Sequence, residues 1–371
     1  MRLLKLHLNI LALAGVLAAC VPTPGTSPVP SSMPSLPLTQ TVPSVLPPTS
    51  TLPQSMTASP SVVSLPTATA LPAATITATP DPYAGLGIED LRLRSYGGGE
   101  IEQLETLAVN SYFTRTLMVY PSDGLRIYGF MNLPRRGEPP YPVVIAIHGY
   151  IEPEVYTTLD YTTGYADALA QAGFIVLHPN LRGYPPSDDG DNRFRVGMAL
   201  DILNLIALVK EQSGQPGPLA LAEPGQIGLW GHSMGGGITT RVLTVSPDVR
   251  AAVLYGAMSG DERKNYERIF HYFSNGTRGS EELNAPEEAL QRISPVYFFD
   301  RIQAAVSIHH GEKDADVPPV WSAETCRQLE NLSVEVECYT YPGQPHTFHG
   351  DGDALFIQRT VEFFNRYLGE R

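Results

Sequence analysis

The chain has 371 residues, 43% of them hydrophobic, with 38 acidic against 25 basic side chains and a formal net charge of −13. That length and apolar share allow one large core or two small ones. The acidic balance, with no cluster of lysine and arginine, excludes nucleic acid as an expected partner, because phosphate binding needs grouped cations.

The opening stretch MRLLKLHLNILALAGVLAAC does not read as part of a fold. Arg2 and Lys5 make a positive start, and Leu8 to Leu17 form an apolar run too short for a stable membrane span. Leu17-Ala18-Ala19-Cys20 resembles a bacterial lipobox, which predicts removal of residues 1–19 and a lipid on Cys20. The expected location is the bacterial cell envelope, outside the cytoplasm, with that lipid as the membrane contact. Residues 20–82 then read as a stalk. From 21 to 82 the chain holds 15 of its 34 prolines and a single charge, Asp81. Such a Pro/Thr/Ser tract cannot bury a core, and at about 3.1 Å per residue it can extend on the order of 100 Å or more.

From Tyr83 to the end, residues 83–371, strand and helix signals alternate. FTRTLMVY (113–120) and LRIYGFMNL (125–133), separated by PSDG, predict a hairpin. VVIAIH (143–148) is a continuous β-branched run of the kind buried on both faces of a sheet. A helix near Tyr165 to Ala172 and the strand FIVLHP (174–179) follow, then a long apolar helix over 195–212. QIGLWG (226–231) is a strand and 234–246 a helix, and AAVLYG (251–256) and AVSIHHG (305–311) are further strands. A helix over 320–332, a strand over 334–342 and an amphipathic helix over 354–368 close the chain. Strands joined by crossover helices imply a mostly parallel, doubly wound α/β sheet.

Residues 257–300 interrupt the alternation, being too long for a simple connection. They predict a small helical insertion before the penultimate strand, over the carboxyl edge of the sheet. Tyr266, Phe270 and Phe273 recur there at helical spacing and are expected to form its core. Cys326 and Cys338 are either a disulfide, permitted outside the cytoplasm, or two buried thiols; spacing leaves the choice open. SDDGDN (187–192) gathers three aspartates, but not at the spacing of a calcium loop. No metal and no cofactor are expected.

Gly231-His232-Ser233-Met234-Gly235 is a G-x-S-x-G motif directly after a strand and before a helix, the setting of a nucleophile on a tight turn. A serine hydroxyl is a weak nucleophile near neutral pH and needs a base, which in turn needs an orienting acid. Downstream, HHGEKDADVPP offers Asp314, with Asp316 as a rival, and YPGQPHTFHG offers His346, with His349 as a rival. Both segments follow strands, where ligands bind in open α/β sheets. His148, His309 and His310 read as structural residues at strand ends. The oxyanion needs two backbone donors, and the candidates are the N–H of Met234 and the N–H of Tyr150, the latter at the end of AIHGY.

At these residues the stretch from about Phe113 to Leu368 resembles the α/β-hydrolase superfamily, closest to the prolyl oligopeptidase catalytic domain and dienelactone hydrolase-like esterases. The matching pieces are HGY (148–150), LRGYPPS (181–187), GHSMGG (231–236), HGEKDADVP (310–318) and YPGQPHTF (341–348). The resemblance implies an α/β-hydrolase fold with Ser233 as nucleophile, Asp314 as acid and His346 as base. It prefers Asp314 to Asp316, since the family's acid lies three residues before the valine. Two departures stand out. Pro185-Pro186 replaces the usual G-x pair of the R-G-x-G-x-S loop, and only about thirty residues separate the stalk from the hairpin, too few for the propeller of prolyl oligopeptidases.

The expected protein is a serine hydrolase acting on small esters, with short peptides as the alternative substrate and a non-catalytic surface binder as a third reading. Oligomeric state and the acyl and leaving groups are not encoded in any motif.

Overall fold

In a computed structural model, residues 80–369 are described. The lipidation motif at Cys20 and almost all of the proline-rich tract lie outside them.

After a short helix α1 (Ile88–Arg92), the chain lays down three antiparallel strands, β1 (Glu102–Val109), β2 (Phe113–Ser122) and β3 (Leu125–Pro134). The predicted hairpin is therefore longer than the motif suggested, and its turn is only Asp123-Gly124. Strand β1 was not anticipated. Its side chains are almost all exposed, so it lacks the alternation that burial would write into a sequence.

Strands β4 (Tyr141–Ile147), β5 (Ile175–Pro179), β6 (Ala222–His232), β7 (Ala251–Tyr255), β8 (Ala305–Gly311) and β9 (Val336–Tyr341) complete one nine-stranded sheet, ordered β1-β2-β3-β5-β4-β6-β7-β8-β9. From β5 to β9 all neighbours run parallel. The crossover helices follow from handedness. The step from β4 back to β5 carries α2 (Thr163–Gln171) to one face, where it packs with the closing helix α9 (Gly350–Leu368). The forward steps carry α3 (Val196–Gln212), α4 (Met234–Val245) and α8 (Pro319–Asn331) to the other. This is the doubly wound α/β-hydrolase arrangement that the motif order implied. Central strands such as Ala251–Tyr255 are buried at every residue, which explains their unbroken apolar sequence.

The chain leaves β4 toward β5 on one side and later places β6 on the other. Between the carboxyl ends of β4 and β6 lies the switch point where open sheets form their crevice. Tyr150 follows β4 and Ser233 follows β6.

Residues 257–300 carry α5 (Glu262–Arg268), a π-helical turn (Ile269–Phe273), α6 (Ser280–Leu283) and α7 (Glu287–Ile293), followed by a 3-10 segment, Pro295–Arg301. The insertion is anchored by Glu262, 4% exposed, between Arg195 and Arg241, with its carboxylate 2.6 Å from the latter. The expectation for its aromatic stripe needs correction: Tyr266 is buried, but Phe273 is 49% exposed. The π turn widens the helix after Ile269 and carries Phe273 off the face that Tyr266 occupies. Cys326 on α8 and Cys338 on β9 are joined in a disulfide. Among the described residues, no helix is long and apolar enough to cross a membrane.

Candidate active site

Ser233 sits between β6 and α4 with φ 56° and ψ −115°, a conformation that costs a non-glycine residue about 1–3 kcal/mol. The surroundings impose it. Its N–H donates to the Tyr255 carbonyl (2.9 Å), and its carbonyl accepts from Met258 N–H (3.0 Å) and Gly237 N–H (3.2 Å). The flanking glycines answer to crowding. A Cβ on Gly235 would lie 2.2 Å from the Ile147 carbonyl oxygen, and one on Gly231 would lie 2.4 Å from the Gly235 oxygen. No larger residue fits where α4 crosses the end of β4. Ser233 itself stays partly exposed.

Asp314 follows β8 and is 8% exposed. Its Oδ1 accepts the backbone N–H groups of Asp316 (2.9 Å) and Val317 (2.8 Å), so the carboxylate organises its own loop. Its Oδ2 lies 2.6 Å from His346 Nδ1. Burial alone raises the carboxyl pKa, but hydrogen bonds from His310 and His346 outweigh it and hold Asp314 well below the usual carboxylate range. A carboxylate can only accept, so Nδ1 of His346 carries the hydrogen and Nε2 presents its lone pair. That is the tautomer a general base requires. Gly256 (φ +49°) passes so close that a Cβ there would lie 3.2 Å from His346 Nδ1.

The rivals are placed elsewhere. Asp316 touches the site only through its backbone, and His349 is exposed at the start of α9. Among the described residues, Ser233 Oγ makes no hydrogen bond to His346, a contact that commonly tightens only once substrate is bound. Ser233 does lie against the end of β4, since a Cβ on Gly149 would be 3.1 Å from Ser233 Cβ. Met234 is the first residue of α4, so its N–H is among those that a helix leaves without an internal partner. Tyr150, 48% exposed, follows Gly149 on the facing loop. His148 packs that loop down, its ring nitrogens 2.7 Å from the Gly149 oxygen and 2.8 Å from the Asn180 oxygen.

Three residues near this constellation escaped sequence reasoning. His310, read as structural, places Nε2 3.0 Å from the same Asp314 oxygen that faces His346. His232, the variable residue of the serine motif, and Tyr161, from an unremarkable turn, hydrogen-bond to each other beside Gly149. For His310 the signal was its place four residues before the acid. For Tyr161 there was none.

The insertion reaches both banks of the crevice. Arg268 donates to the backbone carbonyls of Ala315 and Asp316 beside the acid, and Arg278 binds Tyr150 and Glu152 on the opposite loop. A cavity of about 480 Å³ lined by Tyr141, Phe174 and Gln226 opens at the amino ends of the strands instead. Ser233, Asp314 and His346 do not line it, so size does not mark the site here.

Residues 161–371, more than half of the chain and including all three triad candidates, match the prolyl oligopeptidase family. The chain belongs to the prolyl oligopeptidase family. That is a family of serine hydrolases. Its relatives in that family and fold divide between two activities. The uncharacterized peptidase YuxL of Bacillus subtilis is 22% identical over 62% of this chain and 35% of its own length. An acylaminoacyl peptidase of Pyrococcus horikoshii shares the fold with a TM-score of 0.57 at 21% identity, over 70% of this chain and 42% of that one. Acetyl xylan esterase 1 of a Thermoanaerobacterium species aligns with a TM-score of 0.53 at 20% identity, over 72% of this chain and 88% of its own. The chain thus spans about a third of YuxL and under half of the acylaminoacyl peptidase, but 90% of the uncharacterized peptidase YtmA of Bacillus subtilis, to which it is 25% identical over 66% of its own length.

Proposed function

We propose that this protein hydrolyses carboxylic esters through an acyl-enzyme on Ser233, with His346 as general base and Asp314 holding that base in its productive tautomer. His346 takes the serine proton as Oγ attacks the ester carbonyl. The N–H groups of Met234 and Tyr150 receive the developing oxyanion. The proton then passes to the leaving alcohol, and a water activated by the same imidazole releases the acid. The observation that carries the reading is the 2.6 Å Asp314–His346 contact at the carboxyl edge of the sheet, in the crevice beside Ser233.

Ester rather than peptide cleavage is favoured by what surrounds the crevice. An amine leaves poorly, so peptidases use remote binding energy to align the amide and its nitrogen. Among the described residues, the elements reaching over this edge are those of the short 257–300 insertion. Nearly full-length matches exist to both an acetyl xylan esterase and a peptidase, so the choice rests on the crevice. Short peptides are the second reading, supported by the family and the acylaminoacyl peptidase likeness. The deciding experiment compares kcat/KM on short-chain aryl esters and on peptide anilides, with Ser233→Ala as control. Efficient release of an amino-terminal residue, abolished by Ser233→Ala, would establish the peptidase instead. A folded wild type that a fluorophosphonate fails to label would favour a non-catalytic binder.

The site of action we propose is the outer face of a bacterial membrane, through a lipid on Cys20. The Leu-Ala-Ala-Cys motif and the Pro/Thr/Ser tract support it, as does a disulfide of the kind retained outside the cytoplasm. Cys20→Ser should move the protein from the membrane fraction to the soluble one, and continued retention would remove the anchor from the proposal.

A further inference from the structure

The geometry points to Tyr161 and His232 as positioning residues that lock the oxyanion loop, the nucleophile turn and the base loop into one hydrogen-bonded unit. The inference rests on the reading of Ser233 and His346 given above and goes beyond it, because neither Tyr161 nor His232 touches the reacting atoms.

Three contacts form the chain. Gly149 N–H lies 3.0 Å from Tyr161 Oη, Tyr161 Oη lies 2.6 Å from His232 Nδ1, and His232 Nε2 lies 3.1 Å from the backbone oxygen of His346. Only one arrangement of protons satisfies them all. A carbonyl oxygen can only accept, so His232 Nε2 carries the hydrogen. In a neutral ring Nδ1 is then an acceptor, so Tyr161 must donate to it. The tyrosine oxygen is left to accept from Gly149 N–H. Every donor points one way, from the end of β4, through the residue preceding Ser233, to the backbone of His346.

His232 is 1% exposed, and burial pulls its pKa down to about 3, so the ring stays neutral under working conditions. Its ring also packs on that of His346, with centroids 4.6 Å apart, and on Tyr255, at 4.2 Å. Rotation of His232 would therefore disturb the base directly. The tyrosine has little room to move. Its hydroxyl occupies the space a Cβ on Gly149 would fill, at 2.6 Å, which makes glycine necessary at that position. Asp314 sets the tautomer of His346, and the Tyr161–His232 chain sets where its backbone sits. Losing the tyrosine hydroxyl leaves two enclosed groups without partners, Gly149 N–H and His232 Nδ1, and the expected response is relaxation of the loops they join. Misplacement of a base by a fraction of an ångström is felt in turnover far more than in substrate binding.

The test uses the full-length enzyme and p-nitrophenyl acetate. Fluorophosphonate labelling of wild type at Ser233, lost in Ser233→Ala, comes first. If wild type is folded and unlabelled, the site reading fails and this inference with it. If it is labelled, Tyr161→Phe is expected to lower kcat by about tenfold to a hundredfold with KM changed less than about threefold and the thermal midpoint nearly unchanged. His232→Gln keeps a donor where Nε2 stood and should retain more activity than His232→Leu, which has none. In the His232→Leu background, Tyr161→Phe should cost less than about threefold, because the chain is already broken. Wild-type turnover in Tyr161→Phe, equal losses in the two His232 variants, or full additivity would each overturn the inference while leaving Ser233 and His346 in place. Should Tyr161→Phe not fold, the Gln-against-Leu comparison at His232 decides alone.

Discussion

His346 Nδ1 lies 2.6 Å from Asp314 Oδ2, and the two are carried by the loops that follow β9 and β8, thirty-two residues apart in sequence. The contact is charge-assisted and buried, so it fixes both the orientation and the proton of the base. Asp314→Asn should lower kcat on an aryl ester by about three to four orders of magnitude, by analogy with other triads in which the wrong tautomer results. His346→Ala should cost at least as much. His349→Ala, on an exposed residue, should stay within about threefold of wild type. A large loss at His349 with little at His346 would mean that the base had been misassigned. Steady-state kinetics on purified variants is sufficient.

Acid should destabilise the fold before it titrates the triad carboxylate. His178, His232 and His309 are buried, and burial above all pulls each pKa to about 3 from an ordinary 6.5. Between those values the unfolded chain binds protons that the folded one refuses, so stability falls as pH drops from about 6.5 toward 3. These three groups should contribute up to about three protons taken up on unfolding, His148, also buried and with its pKa lowered, adds to them, and His232→Gln should reduce the slope by about one. Asp314 acts in a lower window. Its depressed pKa stabilises the fold above the ordinary 3.8 and is lost as pH falls beneath that value. Urea titrations at a series of pH values give the slope directly, and a flat profile from 6.5 to 4 would contradict the assignment.

Glu262 decides whether the insertion stays docked. It is enclosed between Arg195 and Arg241, side chains that are themselves almost fully buried. Glu262→Ala leaves two guanidinium groups facing each other without their counter-ion, an expected loss of about 3–5 kcal/mol. Glu287→Ala breaks the exposed pair with Arg263 in the same insertion and should change stability far less, because solvent screens that pair. Denaturant unfolding of the two variants side by side separates the buried ion pair from the surface one.

The Cys326–Cys338 bridge closes a loop of twelve residues between α8 and β9. A loop that short restrains the unfolded chain modestly, by up to about 3 kcal/mol. Replacing both cysteines by serine should therefore lower the unfolding free energy while leaving kcat within about twofold, because neither sulfur contacts the triad. A large fall in kcat at unchanged stability would show that the bridge holds the acid loop as well.

The eight strands written as apolar runs, the helices between them and the G-x-S-x-G turn were legible in the sequence because each is a local pattern set by burial. Strand β1 was not. Its exposed side chains follow no period, and only pairing with β2 makes it a strand. The exposure of Phe273 was hidden for a related reason, since a π turn shifts the face of a helix without changing which residues are apolar.

Sequence alone marked the candidate nucleophile turn and the proposed order serine, acid, base, because these depend on glycine spacing and on which residues follow strands. It narrowed the acid to Asp314 or Asp316 and the base to His346 or His349. Choosing within each pair by geometry required the loops after β8 and β9 to be brought together, for a carboxylate orients an imidazole only at hydrogen-bond distance. The double load on Asp314, from His346 and His310, and the line from Gly149 through Tyr161 and His232 to His346 belong wholly to the tertiary structure. Their members are scattered over nearly two hundred residues, and no periodicity of the chain records which distant groups will share a proton.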